Sequence, residues 1–481
     1  MTHDDNRAWM ERAITVGRKA RYWSAPNPAV GCVLLRDGAV IGEGFTQPVG
    51  NAHAEIMALQ AARDAHGPEG VAGATAFVTL EPCIHEGRTG PCVEALIEAR
   101  IKRAVVAIED PNPAVSGQGL SALRDAGIAV ELGICAEQVE QDLAGFLLRM
   151  RRGYGRVTLK LATSLDGRTA MASGESQWIT GSSARQDVQR LRAEADVIVT
   201  GIGTVLADDC RLTLRADALP LSEGDKARAL AHAPARMVLD SRARTPLTAR
   251  ILEGESTTIV TTVTTQPGDL GAETEVCRLP ADAEGRVALT AWVALLGERA
   301  YNEILVEAGP TLAGAMLKEG WVDQLVVYQA PKLLGDAARP MAIMEIDALA
   351  EDAIGSPKHH DVRLTVVFQV ITDGGELPEH LHIDVRTEQC DPGNGVRFLV
   401  SNSRKCAGIH AVGISMVRGS LPSDERRLEH LLRLVEGEEL DERRLPDAVG
   451  PEHHLVEALG AVRLLGRQPP GAPAASAAGC R

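Results

Sequence analysis

One histidine, one glutamate and two cysteines stand out in this 481-residue chain, because their types and spacing could hold a metal and move a proton. Asn51-Ala-His53-Ala-Glu55 sets a carboxylate two residues after an imidazole, Pro82-Cys83 follows the apolar run Thr75 to Leu80, and Cys92 lies nine residues beyond Cys83. A catalytic zinc takes three nitrogen or sulfur ligands and keeps a fourth position open for water, whose pKa falls to about 7. His53, Cys83 and Cys92 supply that count. Glu55 is near enough in sequence to reach the water without being a ligand. The competing reading is a closed structural site in which Cys32 supplies a fourth ligand.

These residues need a scaffold that brings distant segments to one point. Thr75 to Leu80 reads as a strand, His53 opens a helical pattern running to Ala65, and Pro91 to Arg100 forms another. With apolar runs at Gly31 to Leu35 and Ala104 to Ile108, residues 1–148 are expected to be an α/β layered domain. The basic stretch Arg149 to Arg156 contains two glycines and reads as a linker. Beyond it, strands at Val157 to Ala162, Val197 to Thr200, Met237 to Leu239, Glu303 to Glu307 and Gln324 to Tyr328 alternate with helices such as Ser182 to Ala193. This places a second α/β domain over residues 155–370. Residues 371–481 change character and are expected to be a small C-terminal appendage. It holds an amphipathic helix (Leu428, Leu431, Leu432, Val435) and a disordered tail after Pro469.

Composition bounds the function. A formal net charge of −15 opposes broad binding of nucleic-acid backbones, which need basic faces. No apolar run reaches the roughly 18 residues of a membrane span, and the start is polar, so a cytoplasmic protein without membrane attachment is expected. Nine cysteines in such a chain suit thiols and metal ligands better than disulfides. The expected partners are small phosphorylated pyrimidines and further copies of the chain in a homo-oligomer.

The His-x-Glu and Pro-Cys order is that of zinc deaminases, in which an activated water displaces a ring amine and the glutamate passes the proton to departing ammonia. Deaminases of nucleosides and nucleic acids usually separate their two cysteines by two residues, whereas eight intervene here, Ile84 to Pro91. Ser24-Ala-Pro-Asn-Pro28, Val30-Gly-Cys-Val33, Thr79-Leu-Glu-Pro-Cys83, Gly87-Arg-Thr89, Pro91-Cys92 and Asp110-Pro-Asn-Pro113 accompany the site. On these motifs the segment resembles the diaminohydroxyphosphoribosylaminopyrimidine deaminases of riboflavin biosynthesis. The resemblance implies a cytidine-deaminase-like three-layer α/β domain in which Asn27, His85 and Arg88 contact the pyrimidine or its ribose phosphate. The family loop usually reads Pro-Cys-Ser-His-His-Gly-Arg-Thr-Pro-Pro-Cys, so Ile84, Glu86 and Gly90 depart from it. The added negative charge of Glu86 opposes a phosphate contact.

A second motif set fills residues 155–370. It comprises Leu159-Lys-Leu-Ala-Thr-Ser-Leu-Asp-Gly-Arg-Thr169, Gly174-Glu-Ser-Gln-Trp-Ile-Thr180, Asp187-Val-Gln-Arg-Leu-Arg192, Gly201-Ile-Gly-Thr-Val-Leu-Ala-Asp-Asp209, Leu239-Asp-Ser241 and Val306-Glu-Ala-Gly-Pro-Thr-Leu-Ala-Gly314. The last reads as a strand end, a Gly-Pro turn and a helix start, whose free amides and dipole favour a phosphate; a turn serving only packing is the alternative. No Gly-x-Gly-x-x-Gly follows a first strand, which excludes a Rossmann reading. Together the motifs resemble the riboflavin-pathway reductases, relatives of dihydrofolate reductase. That resemblance implies a dihydrofolate-reductase-like α/β domain using NADPH as hydride donor. For the ribose-phosphate substrate it implies Ser176, Arg192, Leu212, Arg215 and Glu307. For the cofactor it implies Ala162, Trp178, Thr204, Asp208, Ser241 and the turn Gly309, Pro310, Thr311, Leu312, Ala313, Gly314 and Ala315. Where the family has Asp-Asp-Pro this chain has Asp208-Asp-Cys210, and cysteine does not fix φ.

The combined expectation is a bifunctional enzyme of riboflavin biosynthesis that needs Zn2+ and NADPH. Two alternatives stay open on sequence: a deaminase of another pyrimidine or of nucleic acid, and a deaminase-only relative whose second domain is not catalytic. Residues 395–418 also resemble, over a short stretch, the closing part of GTP cyclohydrolase II. Cys390 and Cys406 are isolated, so that family's zinc-binding cluster has no counterpart and no cyclohydrolase activity is expected.

Overall fold

The computed structural model describes residues 3–84, 90–254, 256–264, 270–271 and 274–344, together with the strands between 363 and 401 named below. The chain opens with α1 (His3–Gly17), β1 (Gly31–Arg36), β2 (Ala39–Phe45), α2 (Ala54–His66), β3 (Thr75–Leu80), α3 (Cys92–Glu98), β4 (Arg103–Ile108), α4 (Gln118–Asp125), β5 (Ala129–Leu132), α5 (Ala136–Asp142) and α6 (Ala144–Arg152). The strands form one sheet in the order β2-β1-β3-β4-β5, antiparallel from β2 to β3 and parallel from β3 to β5. Strands β1, β3 and β4 bury all but one terminal residue each, so both faces of the sheet are covered. Their unbroken apolar runs are the sequence counterpart of that double burial.

Helix α2 carries the first candidate site, and its seat on β2 depends on missing side chains. A Cβ built on Gly44 would lie 2.2 Å from the Ala54 carbonyl oxygen and 2.4 Å from the Ala58 amide nitrogen. The helix start therefore packs directly on strand backbone.

The chain continues with β6 (Arg156–Ser164), β7 (Arg168–Ala170), α7 (Ser182–Glu194), β8 (Val197–Gly201), α8 (Ile202–Asp208), α9 (Glu223–Ala231), β9 (Ala235–Leu239), β10 (Thr258–Thr262), β11 (Thr274–Arg278), α10 (Leu289–Glu298), β12 (Glu303–Glu307), α11 (Pro310–Lys318), β13 (Gln324–Ala330), β14 (Arg339–Pro340), which pairs with β7 alone, and β15 (Arg363–Phe368). After these come β16 (Ile371–Thr372), β17 (Gly375–Glu376), β18 (Leu381–Thr387) and β19 (Phe398–Ser401). Ten strands join in the order β11-β10-β9-β8-β12-β6-β13-β15-β18-β19. Pairing is parallel from β11 to β15 and antiparallel from there to β19. Alternate residues enter separate cores: Val197, Val199, Met237, Ile304 and Val306 lie in one, Ile198, Val238 and Leu305 in another. Period-two alternation between two apolar layers is what helices on both faces of a sheet require.

Two expectations need correction. The basic stretch at 149–156 is not a free linker: Arg149 to Arg152 end α6, Arg156 starts β6, and its arginines are engaged, Arg152 pairing with Asp323 and lying over the Tyr154 ring and Arg149 bonding to Asn302 and to the Pro26 carbonyl. The boundary expected at 370 also falls inside a continuous sheet, since β18 pairs along the whole of β15. The amphipathic helix near Leu428 and the tail after Pro469 lie outside the described residues. No described helix is long and apolar enough to cross a membrane.

Gly44→Ala should lower stability by about 1–3 kcal/mol, the cost of overpacking, because neither backbone group facing it can retreat without moving α2. A melting curve unchanged from the parent would refute this seat for the helix.

Candidate functional site

His53 ends the turn into α2 with an extended backbone, Cys83 follows β3 by three residues, and Cys92 is the first residue of α3. The fold turns these separate element ends toward one point. His53 Nδ1 lies 3.5 Å from Cys83 Sγ and 3.3 Å from Cys92 Sγ, and one ligand atom from each residue falls within 4.8 Å of the others. Tetrahedral zinc, with bonds of about 2.0–2.3 Å, sets its ligand atoms roughly 3.5–3.8 Å apart, so this donor set fits the ion. Cys32 is fully buried and outside the group, which removes the closed four-ligand reading.

The electrostatics agree with that fit. Hydrogen bonding from the Cys92 thiol, aided by His53, draws Cys83 well below the usual thiol range despite burial, and Cys92 is pushed up in turn. The His53 pKa is raised, first by its hydrogen bond with Cys83. Glu55, in the first turn of α2, is only 3% exposed. Burial, with the Cys83 charge adding, pushes its carboxyl up to about 7, where it can both take and return a proton.

The neighbouring Glu81, not singled out from sequence, holds the site's frame. Its carboxylate accepts backbone N–H bonds from Asp110 (3.1 Å), Gly117 (2.9 Å), Gly119 (2.8 Å) and Leu120 (3.1 Å). One buried side chain thus ties the Asp110-Pro-Asn-Pro113 loop and the start of α4 to the segment that carries Cys83. Asn27 sits half-buried in the turn before β1, where its N–H donates to the Ser24 carbonyl (2.8 Å) and its own carbonyl accepts from the Ser24 hydroxyl (3.2 Å). His85, Glu86 and Arg88 lie outside the described residues. Ile84 is half-buried and Gly90 exposed at the two ends of that loop.

The second site is a cleft of about 1230 Å³ over the C-terminal ends of β6, β8, β9 and β12. The expected substrate residues Ser176, Arg192, Leu212, Arg215 and Glu307 all line it. Glu307 takes a two-pronged contact from Arg192 (2.5 and 3.1 Å), with Lys160 Nζ 3.7 Å away. Burial alone would raise its carboxyl, but Arg192 and Lys160 outweigh that and hold it at about 2. Lys160 itself is lowered, chiefly by burial. Its clue in the sequence was a lone cation inside the apolar run from Val157 to Ala162. Leu212 is buried with φ +52°, a left-handed conformation rare for leucine. Arg215 is exposed; its backbone N–H is fixed by Gln189 (2.9 Å), and its guanidinium makes no ion pair among the described residues.

Of the expected cofactor residues, Ala162, Trp178, Thr204, Asp208 and Ser241 line the cleft, as do Gly309, Pro310, Thr311, Leu312 and Ala315. Ala313 and Gly314 do not: Ala313 is in the core, and a Cβ built on Gly314 would lie 2.0 Å from the Ile343 carbonyl oxygen, which leaves no room for a side chain. Helical periodicity turns those two positions inward. Trp178 is 58% exposed at the rim, with the Arg185 guanidinium 4.4 Å from its ring and Lys332 bonded to its carbonyl. The Ser241 hydroxyl accepts the Val287 N–H at 3.0 Å. Burial raises Asp208, against Arg339 and a hydrogen bond from Ser176. Cys210 is half-buried in the wall, and burial pushes its thiol up to about 11. Gly309 and Pro310 start α11 with no side-chain cap, so its first amides are available to a phosphate. These donors fit a phosphorylated nicotinamide cofactor.

Comparison with known proteins bears on both sites. Residues 3–108 match the cytidine and deoxycytidylate deaminase zinc-binding region, and residues 156–367 match the RibD C-terminal domain. The chain is 46% identical over 341 residues to the riboflavin biosynthesis protein RibD of Escherichia coli, covering 70% of this chain and 90% of that one. It is similar to Acinetobacter baumannii RibD, with 41% identity and a TM-score of 0.67 over 80% of this chain and 100% of the other. A deaminase/reductase from Thermotoga maritima gives 30% identity and a TM-score of 0.66, covering 80% and 99%. The chain accordingly carries a zinc-dependent deaminase domain and an NADPH-dependent reductase domain. At this identity and coverage, the chain belongs to the RibD family of bifunctional deaminase–reductases of riboflavin biosynthesis.

Proposed function

We propose that the first site deaminates 2,5-diamino-6-(5-phosphoribosylamino)pyrimidin-4(3H)-one and that the cleft reduces 5-amino-6-(5-phosphoribosylamino)uracil to its ribityl form. The observation that carries this reading is the convergence of His53, Cys83 and Cys92 beside the buried carboxyl of Glu55. Zinc supplies the acidity of the attacking water and NADPH supplies the hydride. Glu55 takes the water's proton and hands it to the amine; the ring carbon–nitrogen bond breaks, a carbon–oxygen bond forms, and ammonia leaves. Asn27, His85 and Arg88 hold the pyrimidine and its ribose phosphate.

In the cleft, Glu307 accepts hydrogen bonds from ribose hydroxyls while Arg192 fixes its orientation. Arg215, with Ser176 and the Leu212 backbone, receives the phosphate end. Lys160, its ammonium weakened by burial, gives a proton to the ribose ring oxygen as C1 is reduced and the C1–oxygen bond opens. Trp178, Thr204, Asp208, Ser241 and the Gly309–Pro310 turn hold the cofactor. The catalytic units are residues 1–148 and the domain that begins at residue 155, whose sheet continues past residue 370; every motif used here lies before residue 344, which supports placing both activities in these two units. The enzyme works as a cytoplasmic homo-oligomer on small substrates rather than nucleic acid, a reading its net charge of −15 supports.

Purified protein should contain one zinc per chain, and Cys83→Ala should lose it; full metal content in that variant would remove the site. Glu55→Gln should keep zinc but slow ammonia release by about 10²- to 10⁴-fold, leaving NADPH oxidation with the uracil substrate intact. Arg215→Ala should raise the reductase KM for the phosphorylated substrate about tenfold or more, the worth of a charge-assisted contact, with ammonia release unchanged. Steady-state assays of the two half-reactions separate these outcomes.

A further inference from the structure

The turn that carries Asn27 is held from the other half of the molecule. Along residues 21 to 26, contacts to elements outside the first sheet recur. Arg21 bonds to Glu194 of α7 at 3.3 Å. Trp23 stacks on Phe45 and receives the Arg228 guanidinium of α9 at 5.3 Å, with His232 edge-on at 6.0 Å. The Pro26 carbonyl accepts two hydrogen bonds, from Asn302 Nδ2 (3.1 Å) and from Arg149 Nη2 of α6 (2.8 Å). Arg149 Nε in turn donates to Asn302 Oδ1 at 2.7 Å, closing the group on itself.

Asn302 is suited to act as a fixed anchor. It is 7% exposed, its N–H donates to Asp196 at 2.6 Å, and its carbonyl accepts from Arg156 at 2.8 Å. A Cβ on Gly145 or Gly155 would lie 2.2 Å from that carbonyl, so backbone closes round it from two sides. Its backbone thus belongs to the second sheet, immediately before β12, while its side-chain amide reaches into the first domain. Asn27 is the next residue after the carbonyl it grips.

We infer that Asn302 is a positioning residue for deamination: it fixes the Pro26–Asn27 peptide and so aims the Asn27 side chain, making substrate capture at the zinc site depend on the reductase domain. The inference rests on the reading that Asn27 contacts the pyrimidine. Asn302→Asp keeps side-chain volume and the acceptor for Arg149 but loses the donor to Pro26. In the full-length protein, Asn302→Asp should raise the KM for ammonia release about three- to tenfold, the effect of one hydrogen bond. Deaminase kcat, zinc content and NADPH-dependent reduction should stay within twofold of the parent. A merely structural defect would instead lower zinc content or kcat. If Asn302→Asp does not fold, Arg149→Met, which removes the other donor to the same carbonyl, should give the same KM rise. A parental deaminase KM in whichever variant folds, beside a raised KM in Asn27→Ala, overturns the role of Asn302 alone. A parental KM in Asn27→Ala overturns the reading of Asn27 and the inference with it.

Discussion

The carboxylate of Glu307 is buried, and a buried charge has to be answered where it stands. Arg192 reaches it from α7 with both prongs of its guanidinium, and Lys160 approaches from the neighbouring strand β6. Removing one partner of such a group costs several kcal/mol, because the remaining charge stays desolvated. The requirement fixes more than one side chain. It sets the register of β12 against β6, where Glu307 pairs with Lys160, and the rotation of α7, which must present Arg192 to the strand end. The cleft follows from these placements, since its floor is that ion cluster. The other end of β12 begins immediately after Asn302, so one five-residue strand links the reductase floor to the domain junction.

The zinc centre solves a related problem in a different way. Two thiols, an imidazole and a carboxyl sit together within the first domain, and among the described residues no lysine or arginine is among the groups that shift them. A dication answers that arrangement, and a carboxyl held near neutrality by burial avoids a further negative charge. What keeps these groups in place is backbone. The segment bearing Cys83 is tied through Glu81 to four amides, and α2 rests on strand backbone at Gly44. Both devices fix the backbone at the ends of regular elements, which is the condition for a site of defined geometry.

Local chemistry is legible in this sequence, and long-range pairing is not. Strand β3 spans Thr75–Leu80 as expected, and the Val306 to Gly314 turn is where its glycine and proline indicate. In both cases residue type and short-range period determine the structure. His53, Cys83 and Cys92, singled out by type and spacing, are brought together by the fold. The misread linker at Arg149 shows the limit: its arginines look solvated in sequence because Asn302 and Asp323 lie 153 and 171 positions away from Arg149 and Arg152. Lys160 was passed over because Glu307, the group that gives it a function, is distant in the chain. The resemblance extended the cofactor turn through Ala313 and Gly314, whereas a helix presents only one face of any such run and these two do not line the cleft.

Charge distribution joins the two halves of the chemistry. The chain carries a net charge of −15, yet the cleft is lined by nine arginines and one lysine against five carboxylates. Clefts of one sign with low-dielectric walls concentrate field, so a cationic recess in a chain of negative net charge favours phosphorylated small molecules at the recess. Much of the cation excess is held without full compensation, since Arg185, Arg215, Arg242, Arg244 and Arg339 make no ion pairs among the described residues. Those open positions are the ones a ligand phosphate can fill, whereas Arg192, already paired to Glu307, is a positioning group first. The division of labour among arginines therefore follows from which of them the protein has already neutralised.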